Sequence, residues 1–255
     1  MGHQESYRQN EDYARFLAGW DPAFYGKYAE ALAEGAGPGG RVLDVGCGVG
    51  QVLGRLQAGG CEAHGVDVSE PNIDRARQIT DRARLYDGKS LPFEPGYFDA
   101  VGALNVLEHV DEPELFIPEL VRVVKPGGCV VLSSPNFFRV LGFRDYHPRM
   151  RGVGKKWENW RRILDKQRQI RCAPDRVRFD RMVPIVRASF QPDDDAIIAT
   201  NPFEMRFFLE RSGCESVSVA CTDRPVPRLV EWVLNWGPWR YLMFNAFLVA
   251  RKRGS

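Results

Sequence analysis

Short apolar runs that end in glycine or aspartate alternate along the first half of the chain with stretches of helical period. Val42, Leu43 and Val45 form the first run, which leads directly into Gly46-Cys47-Gly48-Val49-Gly50, with a helix expected from about Gln51. A run this short and this apolar fits a strand buried on both faces of a sheet. The second run, 62–69, closes on Asp67 and precedes a helix over 70–82 with Ile73, Ala76 and Ile79 on one face. A short third strand is expected at 84–86 and a fourth over 98–104. A helix follows over 112–124, with Leu115, Leu120, Val123 and Val124 apolar, and then a fifth strand over 129–133. Upstream, Asp21-Pro22 offers an N-cap followed by proline at the first helical position, and that helix should run to about Glu34 before a glycine-rich break. Downstream, a helix over 204–211 and strands over 215–221 and 243–250 complete the series. Strands alternating with helices predict an α/β fold built on a parallel sheet.

The glycine-rich turn after the first strand is the place where ligand chemistry is expected. Glycines at 46, 48 and 50 let the backbone approach a ligand without a Cβ in the way, and the helix start behind them leaves N–H groups without helical partners. The dinucleotide fingerprint G-x-G-x-x-G fails in both frames, because Gln51 and Leu53 stand where its third glycine belongs. The pattern present is Asp-x-Gly-x-Gly-x-Gly, led by Asp44. This stretch resembles the first motif of the class I S-adenosylmethionine methyltransferases, close to V-L-D-x-G-C-G-x-G. Further matches follow in order: Asp87 four places before Leu91-Pro92-Phe93, Phe98-Asp99-x-Val101, Leu107-Glu108-His109-Val110, and Lys125-Pro126-Gly127-Gly128 before the fifth strand. The likeness is to the small-molecule members of the "methyltransferase type 11" kind and covers 41–135.

The resemblance implies a three-layer α/β sandwich, Rossmann-like, with a seven-stranded, mostly parallel sheet whose last two strands pair antiparallel. It implies S-adenosyl-L-methionine as cofactor and S-adenosyl-L-homocysteine as product. Asp44 would lie near the cationic methionine end, with Gly46, Cys47, Gly48 and Gly50 forming the loop beneath. Asp67, with Val68 beside it, would accept the ribose hydroxyls, since Ser69 with Pro71 behind it is able to cap the next helix. Asp87 and Gly88 would meet the adenine, a role compatible with an Asp-Gly turn, and Asn105 completes the expected cofactor set.

His109 is the first candidate general base, the alternative being a brace for its loop. Some phenol O-methyltransferases of the family carry Glu-x-x-Glu-His here and bind a divalent metal. Asn105 occupies the first position of that motif in this chain, so no metal is expected, a hard cation preferring carboxylate oxygen. Tyr146 and His147 form a second candidate pair. Asp193-Asp194-Asp195 reads as a loop or capping cluster, because neighbouring side chains diverge. Asn201-Pro202-Phe203 is similar to the Asn-Pro-Pro-Tyr motif of amino-methylating nucleic-acid enzymes, but it stands at a helix start that capping fully explains.

Charge changes the picture after the fifth strand. Residues 136–190 hold fifteen Arg and Lys against five Asp and Glu, in a chain whose total is +2. A lid over 136–195 that grips an anionic or phosphate-bearing acceptor through arginine is expected, against the plainer reading of a solvated basic helical hairpin. The division is therefore an N-terminal helical segment 1–40, a cofactor core 41–135, the basic lid 136–195 and the remainder of the sheet 196–255. Tyr7, Tyr13, Phe16 and Trp20 in the first segment belong either to a flap or to a packed helix. Trp232, Trp236 and Trp239 read as a core or dimer stripe before a membrane-contacting one.

The six cysteines include no C-x-x-C pair, which favours reduced thiols and a cytoplasmic setting. The expected activity is O-methylation of a sugar or natural product by a monomer or homodimer. Methylation of nucleic acid or of a lipid-carrier-linked substrate, a non-catalytic cofactor-binding subunit and a dinucleotide oxidoreductase are the alternatives, and no nucleic-acid module supports the first.

Overall fold

The computed structural model describes residues 7–142, 145, 147–185 and 193–254. Helix α1 (Glu11–Ala18) opens on Asn10, whose side chain accepts the Tyr13 N–H. Asp21 caps a 3₁₀ turn, Pro22–Tyr25, and α2 (Gly26–Ala36) continues from it. Then come β1 (Arg41–Val45), α3 (Gln51–Ala58), β2 (Glu62–Asp67), α4 (Glu70–Ala76), β3 (Ala83–Leu85), β4 (Phe98–Leu104), α5 (Pro113–Val123) and β5 (Val124–Pro135). The second half holds α6 (Val153–Cys172), β6 (Asp180–Arg181), β7 (Ile198–Ala199), α7 (Pro202–Arg211), β8 (Cys214–Ala220), α8 (Arg228–Leu234), α9 (Trp239–Leu242) and β9 (Asn245–Lys252).

Seven strands make one sheet in the order β3-β2-β1-β4-β5-β9-β8. The pairs from β3 to β5 are parallel, and β9 is antiparallel to both β5 and β8. Strand alternation sorts the core into two layers. Leu43 and Val45 join Phe98, Ile117, Leu120, Met205 and Leu209, the side of α5 and α7. Val42 joins Tyr28, Leu32, Leu53, Leu56 and Ile73, the side of α2, α3 and α4. Asp44, two residues along from Val42, is thereby turned towards α2.

Element boundaries differ most from the expectation at two places. The helix from 70 stops at Ala76, and 77–80 tightens into a turn in which Gln78 N and Ile79 N reach back only three residues. The Lys-Pro-Gly-Gly stretch is a bulge inside β5, between the pairs Phe98↔Val124 and Ala100↔Cys129. The basic region contains one twenty-residue helix, α6, and a two-stranded ribbon, β6–β7, not a helical hairpin. Phe137, Phe138, Met150, Ile163 and Met182 form its own small core. The six cysteines are unpaired, five of them buried. Among the described residues no helix is long and apolar enough to cross a membrane.

Lys166 fastens α6 to α7. Its ammonium lies 2.6 Å from Glu204 and 2.8 Å from Asp180, and it also donates to the Arg178 carbonyl. Burial pushes the Glu204 carboxyl up to about 7 against the pull of Lys166. Burial also works against the charged lysine, but Glu204 and Asp180 outweigh it and hold its pKa above the ordinary value. Lys166→Met leaves Glu204 buried without its cation and is expected to cost about 3 kcal/mol in urea unfolding at pH 8. Without Lys166 the folded variant's Glu204 carboxyl lies above the wild type's value of about 7. The deficit should therefore shrink as the pH falls from above 8 to about 7, below which both folded proteins hold Glu204 protonated.

Candidate active site

A pocket opens at the C-terminal ends of β1, β2 and β4, where open α/β sheets place their ligands. Its floor is the loop after β1. Gly46 N and Cys47 N both donate to the Val66 carbonyl at the end of β2, at 2.8 and 3.0 Å. Gly46 has φ +74, and a Cβ there would overlap Val106, so both the backbone and the space demand glycine.

Asp44 is 2 % exposed and accepts a 2.8 Å hydrogen bond from the Tyr28 hydroxyl of α2. Gly102 of β4, the register partner of Asp44, makes room for that phenol, because a Cβ at 102 would overlap the Tyr28 oxygen. Burial pushes the Asp44 carboxyl up to about 7; Tyr28 pulls it down and Asp67 adds to the rise. Such a carboxyl is poised to meet a positive charge.

Asp67 corrects one expectation. The Ser69 hydroxyl makes no capping bond, so Asp67 is not released from that work. Its Oδ1 accepts from Ser69 N at 2.9 Å and Asn72 Nδ2 at 3.3 Å, and its Oδ2 accepts from Gly48 N at 2.9 Å. Burial still raises its pKa against these bonds. A carboxylate has about four acceptor positions, and Asp67 lines the pocket, so hydroxyl groups of a ligand fit there by sharing Oδ2 with the loop.

Of the expected residues, the pocket brings together Asp44, Gly46, Cys47, Gly48, Asp67, Val68, Asn105 and His109. Gly50, Asp87, Gly88 and His147 are not in its lining. Gly50 starts α3 with φ +87, packed close to Ala76 of α4. Asp87 accepts from Lys89 N and Ser90 N, bonds that hold its carboxyl below the usual range, and Tyr86 before it reaches the pocket instead. His147 is buried in the core of the basic region, where its Nδ1 accepts from Arg149 N and its ring meets Phe137 edge-on. Tyr146 lies outside the described residues.

The wall is aromatic. Tyr13, Phe16, Leu17 and Trp20 fall on one face of α1 and the turn after it, and with Tyr7, Phe24 and Tyr25 they line the pocket. Neighbouring rings touch from Tyr7 through Trp20 to Tyr25, with centroids 5.0 to 6.4 Å apart. Glu11 pairs with Arg75 of α4 at 2.6 Å, and Gln51 donates to the Leu17 carbonyl at 3.1 Å. The first segment is thus a packed wall.

At the far end, Ile197 N donates to the Glu108 carbonyl at 2.9 Å and so ties the 193–195 turn to the turn after β4. His109 Nδ1 lies 3.3 Å from the Tyr7 hydroxyl and 3.8 Å from Asp195, while its Nε2 lies 4.0 Å from Glu108. Tyr7 donates to Asp195. Glu108 is fully buried, its Oε2 accepts from Ser134 at 2.8 Å, and burial pushes its carboxyl up to about 7. Asp193 meets Glu108 and His109, with ligand atoms all within 4.8 Å of one another. That set could hold a divalent cation. The expectation of no metal weighed the Asn105 substitution and the three neighbouring acids separately, and missed that Asp193 arrives beside Glu108 and His109 from a turn far along the chain.

Among the described residues, the arginines expected at the acceptor do not line the pocket. Among the described lining residues the charged groups are acids, Asp44, Asp67, Asp193 and Asp195, with no lysine or arginine. Arg139 pairs with Asp145 at 2.8 Å, and Arg162 with Glu158 and Asp180 at 2.8 and 3.1 Å. Arg139, Lys156, Arg162 and Lys166 are thus engaged with acids of the basic region and of α7.

A family model described as a methyltransferase domain matches residues 43–132. The ubiquinone biosynthesis O-methyltransferase of Dechloromonas aromatica is 39% identical over 117 residues, 41% of this chain and 50% of that protein. The 2-methyl-6-phytyl-1,4-hydroquinone methyltransferase of Synechocystis is 33% identical over 122 residues, 43% of this chain and 38% of that protein. The chain thus spans half or less of the length of these curated relatives. A solved S-adenosylmethionine dependent methyltransferase from Mesorhizobium loti shares the fold, with TM-score 0.57 and 17% identity over 92% of this chain and all of that one.

Gly102→Ala tests the support beneath Asp44. Its methyl would push the Tyr28 ring out of place, and a loss of about 1–3 kcal/mol is expected in urea unfolding. Tyr28→Phe, which removes only the hydroxyl, should cost about 1 kcal/mol.

Proposed function

We propose that this chain, whose residues 43–132 match a methyltransferase domain, is a class I S-adenosylmethionine-dependent methyltransferase that acts on a hydroxyl oxygen of an uncharged aromatic small molecule. The observation that carries this reading is His109, braced between Tyr7–Asp195 and Glu108 at the end of an aromatic, acid-lined pocket. Four carboxylates would repel an anionic acceptor, whereas rings stack on rings. Of the two relatives above, one is named as an O-methyltransferase of ubiquinone biosynthesis and the other as a hydroquinone methyltransferase, which agrees with an aromatic acceptor.

S-adenosylmethionine, when bound, supplies a methyl group made electrophilic by its sulfonium. Asp44 meets the positive charge of the methionine end, and Asp67 accepts the ribose hydroxyls. The wall from Tyr7 to Tyr25 holds the acceptor ring in line and excludes water. Tyr7 gives its one proton to Asp195, so its oxygen accepts from His109 Nδ1–H, and the basic atom of the ring is Nε2. Nε2 removes the acceptor's proton, and the charge gained on the ring is met by Asp195 and Glu108. The Glu108–His109–Asp193 cluster supports a second reading, in which a cation holds and acidifies the acceptor hydroxyl.

Two measurements test these roles. Binding a cation beside Asp44 should lower a carboxyl that starts near 7 and so release a proton. Cofactor affinity is then expected to rise with pH up to about 7 and to level off above it. Calorimetry in buffers of different ionisation enthalpy should detect the proton, and Asp44→Asn should abolish it. In the second measurement, His109→Asn is expected to lower kcat by about 100-fold or more, while EDTA leaves the wild type unchanged. Loss of activity in EDTA with recovery on adding Mg²⁺ or Mn²⁺ would replace the base reading with the cation one.

A further inference from the structure

Helix α8 and the turn into α9 carry an apolar surface that no described residue covers. No residue of α8 is buried. Leu229 is 73 % exposed, Trp232 64 % and Trp236 61 %, with Val230, Val233 and Trp239 also exposed. The surface is nevertheless held in a defined position. Lys27 of α2 donates to the Thr222 carbonyl and pairs with Glu231, and Asn235 accepts the Cys221 N–H at 2.7 Å. Polar groups therefore anchor one side of the segment while its large apolar side chains point outward. Exposed apolar patches of this kind on soluble proteins mark interaction surfaces.

The chemistry of the patch points to its occupant. Three tryptophans combine an apolar body with an N–H, the pattern favoured at a membrane–water boundary. The charges around them are Arg224, Arg228 and Arg240, and the one acid of the stretch from 224 to 242, Glu231, is already paired with Lys27. A second copy of the same surface would set arginine against arginine. Anionic headgroups would complement it. Its position agrees, because the segment joins the end of β8 to the start of β9, which pairs with the end of β5, the pocket end of the sheet. The Arg224 guanidinium lies over the ring of Phe24, 5.0 Å from its centroid, and Phe24 lines the pocket.

We propose that α8 and α9 form a peripheral docking surface for an anionic lipid bilayer, set beside the pocket mouth. Its apolar face enters the headgroup boundary and its arginines meet the lipid charge. The proposal does not depend on the reaction, since binding alone reads it out.

The test is co-sedimentation of the intact protein with phosphatidylcholine vesicles, with and without phosphatidylglycerol. The wild type is expected to bind the anionic vesicles and to be released by salt. The triple variant Trp232→Ala, Trp236→Ala, Trp239→Ala should lose at least about tenfold in partitioning with its thermal unfolding unchanged. Arg228→Glu with Arg240→Glu, which leaves the tryptophans in place, should lose the preference for anionic over neutral vesicles. Failure of the wild type to bind anionic vesicles overturns the proposal. So does a wild-type dimer that the tryptophan variant dissociates while vesicle binding is unaltered, since the patch would then be a contact between copies.

Discussion

A carboxylate buried at the end of a central strand constrains much of the cofactor side. Asp44 sits on β1 between two parallel neighbours, where solvent does not reach it, and an ionised carboxylate there needs a partner. Tyr28 supplies one hydroxyl, from the face of α2 that packs on the sheet. Its ring dictates glycine at 102, because only a residue without a side chain leaves room for the phenol. The burial left uncompensated keeps the carboxyl near neutrality. A cationic ligand would relieve it, so the site's readiness to bind and its cost to the fold have the same origin.

How far the sequence reveals this depends on the range of the interactions. Strands β1, β4 and the second half of β5 were legible because burial on both faces leaves apolar runs, and the loop was legible because Gly46 must have positive φ beside Val106. Asp44, Asp67 and His109 are each found next to a strand end. The work Asp67 does for Gly48 N and Ser69 N was not visible, because capping by Ser69 and capping by Asp67 suit the same residues. Asp193 and Asp195 were missed for a different reason. Their partners Glu108, His109 and Tyr7 are remote in sequence, and the Ile197–Glu108 backbone bond that brings them together leaves no local pattern.

The basic region shows what composition conceals. A net charge counts residues and says nothing about pairing. Arg139, Arg162 and Lys166 bind acids of their own segment and of α7, so they stabilise local structure and do not project a field into the pocket. The aromatic residues of α1 show the opposite case. Tyr13, Phe16 and Trp20 were visible as a spacing, but whether they covered a core or a pocket depended on the anchors to Arg75 and Gln51.

The matched span 43–132 supplies the floor of the pocket, and the parts outside it supply most of the rest: α1, the turn after it and the 193–195 turn. This division follows from the topology. In a parallel sheet the connections after each strand emerge at the same end, so any length of chain added after β5, or placed before β1, can reach the pocket without disturbing strand register. The floor is held by backbone geometry that tolerates little change, whereas the walls are side chains on added segments. Features that would recognise a cofactor and features that would recognise an acceptor are therefore carried by separate stretches of this chain.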